Sequence, residues 1–349
     1  MQKNYVFRGL LYVNKNGMRC FNSSSTYKIT LIIVLFILGF IAMIASVCLG
    51  TMSFSVKESL HGIFVNDDSA ARLIIWNVRL PRTLSGGLVG ICLALSGCIL
   101  QGVMRNHLAS PSTIGVTSGA SFVGYLTLVA FPGYYHLLPI GSITGGFFTT
   151  LGIYLLAYNK GVSPVKIILS GMAVSTVFSA FNDMIRSFFP EKLANATGFL
   201  VGSLNGVAWK NLIMILPYAL IGILLCLFVP SKMNILMLGD EMANSLGVRT
   251  ESFRLFLILV SSLLAGAAIS VAGLINFVGL IVPHIARLLV GSDYKYLLPA
   301  SIALGYMLII ICDLIGRIVL PVGEISVSVV LSFVGAPFFL CLLRNKEAK

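Results

Sequence analysis

The chain has 349 residues, of which 57% are hydrophobic and only 10% are charged, and its mean hydropathy is +0.96. A soluble domain carries about 25% charged residues, so these few charges cannot cover a soluble globule of this size and the excess apolar surface must face lipid. The net charge of +12 does not signal nucleic acid: no RNA- or DNA-binding motif accompanies it, and membrane proteins concentrate Lys and Arg in short cytoplasmic loops.

The first 28 residues are basic (Lys3, Arg8, Lys15, Arg19, Lys28) and are too long and polar for the leading region of a secretory signal. The run that follows, Ile29–Gly50, can span a bilayer, which takes about 20 apolar residues. It reads as a permanent first helix, with the tail 1–28 left in the cytoplasm. Further apolar segments are Leu84–Met104, Ile114–Phe131, Leu137–Ala157, Lys166–Phe189, Leu212–Phe228, Leu255–Val271, Leu274–Val290, Leu297–Leu320 and Ser326–Leu343. The expected fold is therefore all-α and polytopic, with about ten transmembrane helices in one domain, residues 29–343, and a short cytoplasmic tail, 344–349. Several segments are short or broken by Gly and Pro, which suits helices buried in a bundle or ending at mid-membrane. With the N-terminus inside, an even number of spans returns the C-terminus inside. Two thirds of the 24 Lys and Arg then fall on the inner side, as the positive-inside rule asks. Those left outside, among them Arg79, Arg82 and Arg317, need another reason.

Small residues recur every four positions at Gly86, Gly90 and Ala94, at Gly115 and Gly119, and at Gly141 and Gly145. Removing side chains lets helix backbones approach closely in lipid. The spacing Gly90-x6-Gly97-x4-Gly102 resembles Gly266-x6-Gly273-x5-Gly279. Five spans separate the two, so two weakly similar halves would have opposite orientation, as in many transporters.

Chemistry-bearing signals are mostly missing. Cys20, Cys48, Cys92, Cys98, Cys226, Cys312 and Cys341 form no C-x-x-C pair and read as small hydrophobes. His61, His107, His136 and His284 show no H-E-x-x-H spacing, and no metal site or cofactor is expected. The sequence has no Gly-Lys dipeptide and hence no G-x-x-x-x-G-K-[ST] loop, so any ATP that drives the protein is bound by a partner subunit. Two acids fall at or near membrane depth, where charges pair or mark a pathway: Asp313 can reach Arg317 at i+4, and Asp183 can reach Arg186 at i+3.

The longest inner segment outside the spans is 231–254. Within it, Leu238-Gly239-Asp240-Glu241-Met242-Ala243-Asn244-Ser245-Leu246-Gly247 reads as a short helix. Asp240 and Glu241 favour its positive end, Gly247 can stop it, and Met242, Ala243 and Leu246 share a face. Such a helix, with no lipid to cover, needs a partner surface.

Two stretches are the most specific. The first is Arg79-Leu80-Pro81-Arg82-Thr83, followed by a Gly-rich helix and Gln101-Gly102-Val103-Met104-Arg105-Asn106-His107-Leu108-Ala109-Ser110-Pro111. The second is Gly273-Leu274-Ile275-Asn276-Phe277-Val278-Gly279-Leu280-Ile281-Val282-Pro283-His284-Ile285-Ala286-Arg287, continuing through Asp313 and Arg317 to Glu324. Together they resemble the FecCD family, the type II importer permeases for iron–siderophore complexes, haem and cobalamin. The resemblance covers about Ile74 to Leu343, with Gln101, Arg105, Asn106, Pro111, Pro283, His284 and Asp313 as structural motif positions. One departure is His107, where the family usually has proline; its loss frees φ in that loop.

The resemblance implies a permease that dimerises with itself or a relative, with two ATP-binding subunits below and an extracytoplasmic substrate-binding protein above, in a bacterial cytoplasmic membrane. It implies that residues 238–247 couple to the ATPase. It also implies that Arg79, Arg82 and Arg317 dock the binding protein through its carboxylates, with helix-end capping or lipid contact as the alternative. The fifth and tenth helices would line the pathway, through Ser170, Ser175 and Ser179 and through Ser326, Ser328 and Ser332. The cargo expected is an iron(III)–siderophore complex, with haem or cobalamin as alternatives within the family. The rival outside it is an ion-coupled secondary transporter.

Overall fold

The computed structural model describes residues 11–13, 19–21, 24–50, 52–65, 67, 69–158, 164–193, 197–320 and 322–347. A short antiparallel pair, β1 (Leu11–Val13) with β2 (Arg19–Phe21), precedes the helices. The helices are α1 (Ser25–Cys48), α2 (Val56–Phe64), α3 (Ala70–Ile74), α4 (Leu80–Val103), α5 (Val116–Ala130), α6 (Leu138–Ala157), α7 (Pro164–Phe188), α8 (Pro190–Leu193), α9 (Thr197–Val201), α10 (Trp209–Leu227), α11 (Pro230–Leu236), α12 (Asp240–Ser245), α13 (Thr250–Ala272), α14 (Val278–Val290), α15 (Tyr294–Ile318) and α16 (Val327–Glu347). Among the described residues, seven helices are long and apolar enough to cross a membrane, and three shorter apolar helices, Val116–Ala130, Val278–Val290 and Val327–Phe338, accompany them. These account for all ten apolar segments of the sequence.

Helices α4 and α13 form the centre. Nearly every residue of α4 is buried, which its small residues permit. Arg105 beyond the end of α4 and Arg254 in the first turns of α13 reach the same carboxylate, so the two helices run antiparallel. They cross at two serines: Ser96 Oγ lies 2.9 Å from the Ser261 carbonyl, and Ser261 Oγ lies 3.3 Å from the Ser96 carbonyl. The packing around them repeats. Helix α4 lies against α15 and α14, whereas α13 lies against α6 and α5. Each half also breaks its chain before a short helix. Residues 104–115 lead into α5 through Gly115 at φ 87°, and residues 273–277 lead into α14 through Gly273 at φ 68° and Phe277 at φ 70°. The inverted halves are thus present in the packing. The glycine register that suggested them is not the structural one, because it pairs Gly90 with Gly266 while the helices meet at Ser96 and Ser261.

The close approach of helices is literal at two crossings. A Cβ on Gly97 would sit 1.9 Å from the Gly279 carbonyl oxygen, and one on Gly90 would sit 2.1 Å from that of Gly305. Alanine at either position would push α4 off its neighbour.

Two boundaries depart from expectation. The second apolar segment starts well before Leu84: α3, a π-helical turn at Ile75–Arg79 and α4 run on without interruption, so Arg79 and Arg82 lie within a helix rather than ahead of one. The eighth segment becomes helical only at Val278, because the positive φ angles at Gly273 and Phe277 exclude a right-handed helix there. Helix α7 contrasts with the centre. Its buried residues are only Ile167, Gly171, Asn182 and Ile185, leaving most of its surface for lipid or another chain.

Candidate functional site

Three constellations stand out, and the first is α12. Gly239 at φ 115° and Gly247 at φ 82° bracket the helix with backbone angles that other residues rarely take. Ala243 is fully buried, while Leu238, Met242 and Leu246 are 63%, 56% and 55% exposed. The expected short helix is present, but its faces are redrawn. Ala243 points inward, Met242 and Leu246 are exposed one turn apart, and Leu238, just ahead of the helix, is exposed as well. Glu241 is exposed as well.

Asp240 anchors this helix. Its carboxylate accepts from Arg254 Nη2 at 3.0 Å and from the Arg105 guanidinium. The Arg254 side chain is 2% exposed. Charge-assisted hydrogen bonds contribute about 1.5–3 kcal/mol each, so one acid ties the exposed helix to the ends of both central helices. A second tie comes from Asn244 Oδ1, which accepts from the Thr250 amide and hydroxyl at 3.3 and 3.2 Å. Sequence reasoning placed Asp240 but missed Arg254. Fourteen residues separate the pair, and no helical spacing joins them.

The second constellation joins the two motif stretches. Pro283 lies inside α14 and has no N–H to offer the Gly279 carbonyl four residues earlier. Gln101, 1% exposed, supplies the missing donor. Its Nε2 lies 3.3 Å from the carbonyl oxygens of Gly279 and Leu280, and its Oε1 accepts from Arg287 Nη1 at 3.0 Å. The end of α4 therefore holds α14 at its proline. Pro111 packs on the same crossing, where a Cβ on Gly279 would sit 3.1 Å from the proline ring. Asn106 Oδ1 accepts from the Leu108 amide at 2.9 Å, which orders the loop despite His107 in place of proline. His284 meets Phe338 edge-on, with ring centres 6.0 Å apart. Among the described residues no group of His, Cys, Asp or Glu could hold a metal ion.

The third constellation lies at the opposite end. Arg79, Arg82 and Arg317 are each only 4% exposed. Arg82 reaches Asp313 Oδ1 at 2.9 Å and Glu324 Oε2 at 2.8 Å, and Arg317 Nε lies 3.1 Å from Asp313 Oδ2. Arg79 donates to the carbonyls of Val47 and Cys48 at 2.8 and 2.9 Å and to that of Met52. Arg317 donates to the Ser46 carbonyl at 2.9 Å. Two guanidiniums thus sit on the orphan carbonyls at the end of α1, where a helix favours cations. These are the three arginines expected to dock a binding protein. Their donors already hold α1, α4 and α15 together, so the helix-capping alternative describes Arg79 and Arg317. The expected i, i+4 pair of Asp313 with Arg317 is present. Asp183 also pairs with Arg186, at 3.5 Å, but its side chain is 72% exposed rather than buried.

The serines expected along a pathway divide. Ser179 and Ser332 are exposed, while Ser170, Ser326 and Ser328 are half-buried. Ser175 accepts from Ser118 on α5 at 3.3 Å and so faces into the bundle. Ser328 donates to the Leu274 carbonyl at 3.2 Å, tying α16 to the break before α14.

Comparison with known proteins agrees with this architecture. Residues 34–345 match the FecCD transport family. The permease protein of an Fe(3+)-citrate import system of Bacillus subtilis (strain 168) is 38% identical over 319 residues, covering 91% of this chain and 94% of that protein. The cobalamin import system permease protein of Halobacterium salinarum is 36% identical over 284 residues, covering 80% and 75%. A solved structure described as a metal-chelate type ABC transporter in an inward-facing conformation superposes with a TM-score of 0.79 at 32% identity, covering 91% of this chain and 99% of that one. The chain belongs to the FecCD transport family.

Proposed function

We propose that the chain is the membrane-spanning permease subunit of a binding-protein-dependent ABC importer that carries an iron(III)–siderophore complex across the bacterial cytoplasmic membrane. The observation that carries this reading is α12, a short helix gripped through Asp240 by both central helices, with Leu238, Met242 and Leu246 turned outward. An exposed apolar patch rigidly tied to the core suits a partner that delivers mechanical work. The partner is an ATPase subunit, two per assembly, which binds the ATP this chain cannot. The α12 end is cytoplasmic, and both termini lie on that side with it.

The permease pairs with a second permease subunit, identical or related, through the sparsely buried α7 and its counterpart α16. Ser179 and Ser332 then face the pathway, with Ser170, Ser326 and Ser328 behind them. A wall of small neutral side chains suits a chelated, bulky cargo better than a bare ion, which would need oxygen or thiolate ligands. The binding protein docks over the opposite end, on a surface that Arg79, Arg82 and Arg317 brace from beneath. ATP binding biases a pre-existing equilibrium between outward and inward access. The iron-citrate relative favours an iron chelate, and the relative from Halobacterium keeps cobalamin as the second cargo.

Proteoliposomes holding the chain with its ATPase and binding protein provide the test. ATP should drive accumulation of a radiolabelled iron(III) chelate and leave labelled cobalamin outside. Accumulation without ATP, driven by an ion gradient, would instead make the chain a secondary transporter.

A further inference from the structure

Beside α12 the structure holds a cavity of about 510 Å³, bounded by the last turn of α10, by α11 and by the first turns of α13. Its walls are apolar and aromatic: Leu225, Phe228, Phe253 and Phe256. Phe228 is 80% exposed. Its only two charged lining residues, Lys232 and Arg249, are both cations. Among the described residues neither cation pairs with an acid, and the Lys232 nitrogen rests 6.0 Å from the Phe253 ring centre. The nearby acids are otherwise placed: Asp240 holds Arg105 and Arg254, and Glu241 and Glu251 are exposed and do not line the cavity.

The cavity continues an exposed apolar surface. Along α10 the exposed residues Leu216, Leu220, Leu224 and Leu227 fall three or four apart, on one face that ends at Phe228. From Leu216 to Phe228 the helix rises about 18 Å, enough to match the hydrocarbon of one leaflet, about 15 Å. We propose that this cavity binds the phosphate headgroup of an anionic phospholipid, with Lys232 and Arg249 on the phosphate and an acyl chain along α10. Basic pockets where helices meet the membrane surface suit such headgroups, and arginine matches phosphate oxygens with its paired donors. The lining also includes Gly247 and Val248, which lead out of α12, so the bound lipid lies next to the end of that helix. Placing the lipid in the cytoplasmic leaflet rests on the proposed function. Binding itself does not, because it is read on the permease alone.

The full chain, purified in neutral detergent, is exchanged against phosphatidylglycerol or phosphatidylcholine, and native mass spectrometry reports the lipid retained. The expected result is at least tenfold more phosphatidylglycerol than phosphatidylcholine retained by the wild type. The double variant Lys232→Gln, Arg249→Gln should lose that preference at an unchanged melting temperature, and Lys232→Arg should keep it. Millimolar inorganic phosphate should leave the lipid in place. Retention of phosphatidylglycerol by the double variant would overturn the proposal. So would displacement of the lipid by inorganic phosphate, which marks a free-anion site. Loss of ATPase co-purification with lipid retention intact would overturn it too, since that marks a protein contact.

Discussion

The two ends of the bundle use charge in opposite ways. At the Asp313 end, Arg79, Arg82 and Arg317 are sealed against two carboxylates and the carbonyls that end α1. At the Asp240 end a single carboxylate, 44% exposed, grips two arginines and leaves three apolar side chains in the open. The first arrangement closes a set of helices; the second presents a surface while keeping it rigid. Charge inside a membrane bundle is first of all a fastening, and the surface available to partners is what the fastenings leave uncovered.

The comparison can be sharpened by removing one fastening at a time. Asp313→Ala should have the largest effect on stability, since it takes from Arg82 and Arg317 the carboxylate they share in a buried site. Breaking a buried pair costs about 3–5 kcal/mol, and thermal unfolding of the purified chain in detergent reads it. Asp240→Ala should cost less, about 1.5–3 kcal/mol, because water reaches that carboxylate. It should nevertheless reduce ATP-driven uptake more than tenfold, as α12 comes loose from α4 and α13. Gln101→Leu leaves the Gly279 carbonyl without its substitute donor and should cost about 1–3 kcal/mol in the same unfolding assay. The smallest change in stability belongs to Met242→Asp with Leu246→Asp. Exposed substitutions shift stability by about 0.5 kcal/mol or less, yet this pair should abolish co-purification of the ATPase subunit. If the exposed pair unfolded the chain and Asp313→Ala did not, the contrast between the two ends would be wrong.

Much of the fold was legible in the sequence because lipid imposes it. Long apolar runs with small residues at four-residue spacing have few other uses, and α1, α6 and α15 sit close to where composition put them. The half-length helices were legible as short segments, but the exact start of α14 was not, since it depends on positive φ at Phe277, a residue that does not advertise it. The site was readable where its parts are local, as in 238–247. It was unreadable where distant residues meet. The Gln101–Pro283–Arg287 unit spans two motifs, and only the fold shows that the glutamine amide stands in for a proline's missing donor. The contacts of the arginines were unreadable for the same reason: sequence gives their number, but not that carbonyls of α1 accept from Arg79 and Arg317.

The claim that α12 hands work over from a cytoplasmic ATPase is tested most directly by labelling Met242→Cys, with Cys20 and Cys341 replaced by Ser and the five described native cysteines buried. A membrane-impermeant maleimide should miss the new thiol in intact cells, label it in inverted membrane vesicles, and be blocked there when the ATPase subunit is bound. Labelling from the outside of intact cells would place the helix on the wrong side and contradict the account.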